Sequence, residues 1–204
     1  MADSENKPAA DAKSLKEIVA GLARCRGCDL WKRATQAVGG EGGPKSRVML
    51  VGEQPGDQED LAGRPFVGPA GRVLDEALEK VGIDRREVYV TNAVKHFSWE
   101  PRGKRRMHKT PSQQEIAACL DWLAAEIRLI RPDLIVALGA TAVRALLGPD
   151  VRVLVNRGKF LPSNWGTKVL VTVHPSSILR VPPEERERAF DAFVRDLGRI
   201  QRVV

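Results

Sequence analysis

Four short apolar runs divide the chain and predict its strands: RVMLVG (47–52), EVYVTN (87–92), DLIVALG (133–139) and KVLVTVH (168–174). Each is a compact run, typical of strands with both faces covered by helices. Helical periodicity is found at about 13–24, 70–81, 112–130, 140–147 and 184–200, and residues 150–167 are predicted as a loop or loose hairpin. This alternation predicts an α/β protein, a three-layer α/β/α sandwich around a mostly parallel four-stranded sheet.

The length of 204 residues suits one domain. We expect residues 1–12, which are small and polar, to form a disordered tail and residues 13–204 to form a single domain. The sequence has neither the pattern of a signal peptide nor an apolar run of the roughly 20 residues that span a bilayer. We therefore expect a cytoplasmic protein.

Polar residues cluster directly after three of the predicted strands. GEQPGDQED follows the first, NAVKHF overlaps the end of the second, and HPSS follows the fourth. The carboxyl ends of parallel strands share one edge of the sheet, and ligands bind in the crevice there. These distant segments are therefore predicted to converge at one site.

Basic residues are concentrated in one short segment. The formal net charge is +7, and residues 95–109 hold much of that surplus. Their cations are Lys95, Arg102, Lys104, Arg105, Arg106 and Lys109, against Glu100 alone. Such a segment favours contact with phosphates and predicts a polyanionic partner.

The three cysteines are too few for a disulfide scaffold and suggest a metal site. Cys25 and Cys28 form a C-x-x-C pair, and Cys119 stands alone. The pair by itself is compatible with zinc, a redox couple or half of an iron–sulfur site, and Cys119 with a buried core thiol. A four-ligand site needs one ligand that is not cysteine, and His96 is the best candidate because it follows a strand and precedes the helix of Cys119.

Four motifs in order, GEQPG, GRPFVGPAG, VTNAVKHF and VTVHPSS, resemble those of the uracil-DNA glycosylase superfamily. The resemblance covers about residues 20–200. Within the superfamily, the chain resembles the iron–sulfur branch and, more specifically, its UdgX members. In the ordinary iron–sulfur enzymes a cysteine ligand stands where this chain has His96. UdgX proteins carry an inserted K-R-R-I-H loop, which here reads Lys104-Arg105-Arg106-Met107-His108, with methionine in place of isoleucine.

The resemblance implies base excision from DNA, with the target nucleotide flipped into a pocket. It implies that His108 attacks the sugar carbon C1′ and stays covalently attached, while Glu53 orients the ring and takes its proton. It also implies that His174 donates to O2 of the departing uracil.

The same resemblance implies the residues that bind the base. Phe66 would stack on the pyrimidine, Asn92 would read N3–H and O4, and Gln54 would line the same pocket, partly through its backbone.

DNA and cofactor contacts also follow from the resemblance. Phosphate contacts are assigned to Lys104, Arg105, Arg106, Ser176 and Ser177. Arg180 would fill the gap left by the flipped base, with Leu179 as the competing choice. A [4Fe–4S] cluster would be held by Cys25, Cys28, His96 and Cys119.

Two other functions stay open at this point. One is a turnover glycosylase in which His108 only positions water, and the other is an iron–sulfur nucleic-acid-binding protein without catalysis. We expect uracil-containing DNA, single-stranded and possibly double-stranded, as the partner, no membrane association, and a monomer.

Overall fold

A computed structural model of the chain describes residues 11–203. The predicted disordered tail, 1–12, lies outside the described residues apart from Asp11 and Ala12. Ala12 is buried in a small core cluster with Ile18 and Trp122, so this end of the predicted tail packs onto the domain.

Eight α-helices are present in the described part of the chain. They are α1 (Leu15–Leu22), α2 (Asp57–Ala62), α3 (Pro69–Lys80), α4 (Gln113–Ile130), α5 (Ala140–Leu147), α6 (Val153–Asn156), α7 (Pro175–Arg180) and α8 (Pro183–Leu197). The five predicted helices correspond to α1, α3, α4, α5 and α8. The last predicted one continues beyond α8 as a 3-10 turn, Gly198–Arg202. Helices α2, α6 and α7 are too short to show a periodic apolar stripe.

Seven strands form two sheets within residues 11–203: β1 (Val48–Gly52), β2 (Val88–Asn92), β3 (Trp99–Arg102), β4 (Arg105–His108), β5 (Leu134–Leu138), β6 (Phe160–Leu161) and β7 (Lys168–Thr172). The central sheet has the order β2-β1-β5-β7-β6. Its first four strands are parallel and match the four predicted runs, which confirms the mostly parallel α/β architecture. The predicted count of four was one short, because the two-residue β6 pairs antiparallel to β7 in the segment predicted as a loop or loose hairpin.

Two apolar layers cover the faces of this sheet. Alternate residues of a strand point to opposite faces. Leu50 accordingly packs with the α3 and α8 side, where Leu74 and Phe193 are buried, and Met49 and Val51 pack with the α4 and α5 side. These buried layers fix the strand register, so Gly52 lies beside Asn92 and the strand carboxyl ends align at one edge.

The basic segment forms a β-hairpin, although its polar sequence carries no alternating apolar pattern. Trp99 pairs with His108 and Arg102 with Arg105 across β3 and β4. Gly103, at the turn, has a φ of 61°, in the left-handed region that glycine adopts readily. The hairpin therefore presents His108 at its last paired position.

None of the helices in residues 11–203 combines the length and the apolar composition that crossing a bilayer requires.

Candidate active site

The predicted convergence at the sheet edge is observed. Glu53 directly follows β1, Asn92 is the last residue of β2, and His174 lies two residues beyond β7. The hairpin adds His108, whose Nε2 lies 3.2 Å from Glu53 Oε1. A carboxylate, an amide and two imidazoles thus lie close together at this edge of the sheet, and this group of residues is called the cleft below.

The Glu53 carboxyl group is held ionised by its neighbours. Burial opposes its ionisation, but hydrogen bonds from His108 and Thr141 outweigh burial and lower the pKa of Glu53. The predicted pairing of Glu53 with His108 agrees with this arrangement. Thr141, at the start of α5, was not predicted, although it follows the third parallel strand just as the predicted groups follow the others.

His108 is half exposed at the open side of the cleft. Its ring lies 6.2 Å, centroid to centroid, from the buried ring of Phe97. One side of the imidazole therefore faces protein and the other remains accessible to a ligand in the cleft.

The side chain of Gln54 holds the base of the hairpin. Its Nε2 donates to the carbonyl oxygens of Ser98 and Lys109 at 3.0 Å, and its Oε1 accepts from the Ser98 N–H. These two residues flank the hairpin on either side. The amide of Gln54 is fully engaged there, which leaves its backbone as the part able to line a base pocket.

Arg106 is engaged with carboxylates, whereas the sequence suggested a phosphate contact. Its guanidinium donates to Asp57 and to the buried Asp60, each at 2.6 Å, and its side chain is 21% exposed. Arg106 therefore anchors the hairpin to α2 in this structure, and its contact with DNA stays a prediction.

Lys95 differs from the other cations of the basic segment. It is fully buried and pairs with Glu126 at 2.6 Å, while Nζ also donates to the hydroxyl of Thr91 and the carbonyl of Asn92. The charge of Lys95 is neutralised inside the protein. The positive charge that the sequence predicted to be available for phosphates was therefore too large. The exposed cations of the segment are Arg102, Lys104, Arg105 and Lys109.

The buried side-chain amide of Asn92, in the cleft, makes no hydrogen bond within the described residues. The residue is 1% exposed, and neither its Oδ1 nor its Nδ2 has a hydrogen-bond partner among the described residues. Buried amides are normally satisfied, so both polar atoms of the Asn92 side chain are available to an incoming ligand. A Cβ on Gly52 would overlap Asn92 Oδ1 and the Phe66 ring, so glycine there lets the two side chains approach.

Phe66 forms a wall beside this amide. Its backbone has a φ of 55°, an uncommon conformation for a bulky residue, and its side chain is buried. The ring centroid lies 5.8 Å from that of His174. Two flat rings therefore border the same space as the Asn92 amide.

His174 is held in a defined protonation state. Burial lowers the pKa of His174 to about 4, although the nearby Glu53 carboxylate acts in the opposite direction, so the ring is neutral near pH 7. The Ser176 N–H donates to Nδ1, which assigns the ring proton to Nε2. The imidazole is thus a hydrogen-bond donor through Nε2.

The segment after His174 folds as α7 and uses its own hydroxyl groups internally. Ser177 donates to the His174 carbonyl at 2.7 Å, and Ser176 Oγ lies 2.8 Å from His174 Nδ1. Arg180 donates to Ser176 Oγ at 3.2 Å. Arg180 and Leu179 are both exposed, so both side chains are accessible to a ligand.

The candidate metal ligands lie in three places: Cys25 and Cys28 follow α1, His96 follows β2, and Cys119 is on α4. Cys25 and Cys119 are buried, and Cys28 is half buried. A hydrogen bond from the Cys119 thiol lowers the pKa of Cys28 to about 7. Burial lowers the pKa of His96 to about 4, and its buried Nδ1 has no hydrogen-bond partner within residues 11–203.

This donor set fits an iron–sulfur cluster. Three thiols and a neutral imidazole with an unsatisfied nitrogen are suitable ligands for it. Across the described ranges, no three His, Cys, Asp or Glu side chains are grouped closely enough to enclose a single metal ion.

Comparison with known proteins identifies the family. Residues 40–198 match the family model described as the uracil DNA glycosylase superfamily. A Type-4 uracil-DNA glycosylase from Thermotoga maritima is 43% identical over 180 residues, which cover 86% of this chain and 89% of that protein. One from Pyrobaculum aerophilum is 38% identical over 197 residues, covering 92% of each. A Type-5 enzyme of the same organism is 29% identical, covering 81% of this chain and 75% of that protein. This chain belongs to the uracil-DNA glycosylase superfamily.

Proposed function

We propose that this protein is a uracil-DNA glycosylase of the UdgX type, which excises uracil from DNA and remains covalently attached to the abasic sugar through His108. The observation that carries the proposal is the 3.2 Å approach of His108 Nε2 to Glu53 Oε1, in the cleft that also contains the unsatisfied Asn92 amide. The similarity to Type-4 uracil-DNA glycosylases supports the reaction class.

Uracil recognition would occur through Asn92 and Phe66. The Asn92 carbonyl accepts from uracil N3–H, and its amide nitrogen donates to O4. Cytosine presents the opposite pattern of donor and acceptor, so its binding leaves buried polar groups unpaired. Phe66 stacks on the ring of the flipped base. Because any pyrimidine can stack in this way, discrimination between uracil and cytosine comes from Asn92.

Bond cleavage would depend on a neutral His174. As the bond between C1′ and uracil N1 breaks, its electron pair stays on the base and negative charge collects at O2. The Nε2–H of His174 donates to that oxygen and stabilises the departing anion. The sugar is left with oxocarbenium character at C1′.

The covalent step would join the imidazole of His108 to C1′. A ring nitrogen supplies its lone pair to the electron-deficient carbon, and the ring becomes positively charged. Glu53 stabilises this charge and accepts the ring N–H proton, which leaves a neutral alkylated imidazole. The uracil anion and the sugar–protein adduct are the two products.

DNA would be bound by exposed groups around the cleft. Lys104 and Arg105 at the hairpin turn are free to contact phosphates. Ser176, Ser177 and Arg180 lie at the start and end of α7, beside His174. Gln54 and Arg106 serve this surface indirectly, because they hold the hairpin that carries it.

A [4Fe–4S] cluster would be held by Cys25, Cys28, His96 and Cys119, and when bound it cross-links the N-terminal segment, the end of β2 and α4. We assign it a structural role. Broad visible absorption with about four irons per chain supports the cluster. A colourless protein with one zinc per chain would overturn this assignment.

Incubation with single-stranded DNA that contains one uracil tests the proposed reaction. We expect a protein–DNA species that survives denaturing electrophoresis, and mass spectrometry should locate the modified residue at His108. Release of uracil with only free abasic DNA would support a turnover glycosylase. Absence of uracil release from any DNA would support a binding protein without catalysis.

A further inference from the structure

The two oxygens of the Glu53 carboxylate have partners on different elements. Oε1 faces His108 Nε2 on the hairpin at 3.2 Å. Oε2 accepts a hydrogen bond from the hydroxyl of Thr141. Thr141 is 5% exposed and is the second residue of α5, the helix that follows β5 in the central sheet.

Of these two partners, Thr141 is the one held by the core. Its neighbours Ala142 and Val143 are fully buried against the sheet, whereas the His108 side chain is 49% exposed on a two-stranded hairpin. A glutamate side chain loses considerable rotamer freedom when it is ordered. The buried hydroxyl therefore fixes one carboxylate oxygen, and that contact directs the other oxygen toward His108.

The hydroxyl also affects the charge of the carboxylate. The titratable groups facing Glu53 are His108 from the hairpin and His174 from the segment after β7. His174 is neutral near pH 7, because burial lowers its pKa to about 4. Burial disfavours the carboxylate anion, and the donated hydrogen bond of Thr141 counteracts this by stabilising the charged form.

We infer that Thr141 is a positioning residue for the glycosylase reaction, which keeps Glu53 ionised and aimed at His108. This inference rests on the proposed function and deepens it. Thr141 contacts neither base nor sugar in this mechanism and acts through Glu53 alone. It therefore affects the rate of bond formation at C1′ and leaves the affinity for DNA unchanged.

The test is the pH dependence of adduct formation by Thr141→Val, measured with excess protein over single-stranded uracil-DNA. Valine preserves the shape and removes the hydroxyl. We expect the rate constant at saturating protein to fall about tenfold. This is the lower end of the effect expected when a hydrogen bond to a charged group is lost. We also expect the acidic limb of the profile to move to higher pH, and Thr141→Ser to restore the wild-type profile.

Two controls separate positioning from a general loss of structure. Thr167→Val removes a hydroxyl that donates to the Asp133 carbonyl outside the cleft, and it should keep the wild-type profile. In a Glu53→Gln background, Thr141→Val should cause no further slowing if Thr141 acts only through Glu53. Equal slowing in both backgrounds would indicate a structural role and overturn the inference.

The outcomes also separate this inference from the proposed function. If the wild-type protein forms no adduct, the proposed function fails, whether or not uracil is released. If the wild type reacts and Thr141→Val has the same profile, only the role of Thr141 fails. Should the valine variant not fold, Thr141→Ala and Thr141→Ser replace it: a slow alanine variant beside a normal serine variant supports the role, and equal rates refute it.

Discussion

Three histidines occur in this chain, and their surroundings give each a different chemistry. His96 is buried, and its Nδ1 has no hydrogen-bond partner in the part of the chain that the structure describes, which suits a metal ligand. His174 is kept neutral by burial and has its proton directed to Nε2 by the Ser176 N–H. His108 is half exposed beside an ionised carboxylate, which suits a nucleophile. Residue type alone distinguishes none of these roles; burial and the nearest partner do.

The proposed role of His108 as nucleophile gives a prediction for a single residue. His108→Ala should abolish the denaturant-resistant adduct and release free abasic DNA instead. Removal of the imidazole opens space beside Glu53 for a water molecule, which the carboxylate can activate by accepting its proton. Denaturing electrophoresis of single-stranded uracil-DNA, before and after alkaline cleavage of abasic sites, distinguishes the two products.

Lys109→Ala is the matched control for this change. It truncates the exposed neighbouring side chain and leaves the imidazole in place, so the adduct should form as in the wild type. Persistence of the adduct in the His108→Ala variant would identify a different nucleophile and contradict the assignment.

Among the elements, the β3–β4 hairpin depends most on tertiary contacts. Its sequence is polar and charged, and a two-stranded hairpin alone is marginally stable in water. Gln54 holds its base, and Arg106 anchors it to α2 through Asp57 and Asp60. These partners lie more than 40 residues away in the sequence, so local pattern could not reveal a hairpin here.

Neighbouring arginines of this hairpin should therefore behave differently when replaced by alanine. Arg106→Ala leaves the buried Asp60 carboxylate without its ion-pair partner and loosens the strand that carries His108. We expect the rate constant of adduct formation at saturating DNA to fall about tenfold or more. Arg105→Ala removes an exposed cation and should weaken DNA binding, with a reduced salt dependence and an unchanged rate at saturation.

Rapid-mixing measurements of adduct formation, combined with DNA titrations at several salt concentrations, separate the two effects. If Arg106→Ala changed only the salt-dependent affinity, Arg106 would be a phosphate contact, as its sequence context first suggested.

At the scale of the whole molecule, the sequence predicted most of the features that position the site. The four apolar runs identified the parallel strands, and the rule that their carboxyl ends share an edge brought Glu53, Asn92 and His174 together. The same rule applied to β5 would have found Thr141. What local pattern could not show is which charges are neutralised inside the fold, because Lys95 and Arg106 look alike in sequence to the exposed cations around them.

The buried pair of Lys95 and Glu126 links distant parts of this molecule. Glu126 on α4 accepts hydrogen bonds from the Gly40 N–H, Tyr89 and Thr91, in addition to Lys95. Both charged side chains are fully buried, so each depends on the other for compensation. We expect Lys95→Met to lower the free energy of unfolding by about 3–5 kcal/mol, because it leaves the Glu126 carboxylate buried without its counter-charge.

Adding Glu126→Gln to Lys95→Met should recover part of the lost stability. The double variant has no buried charge, and the neutral amide oxygen can still accept from Thr91 and Tyr89. Urea unfolding followed by circular dichroism, under conditions that keep any bound cofactor intact, measures both differences in the free energy of unfolding.

If Lys95→Met alone left the stability unchanged, water or a rearrangement would be compensating the Glu126 charge, and the pair would contribute little to the stability of this part of the molecule. If instead the double variant were as unstable as the single one, the hydrogen bonds from Lys95 Nζ to Thr91 and Asn92, and not the compensation of the Glu126 charge, would be what stabilises this part of the molecule.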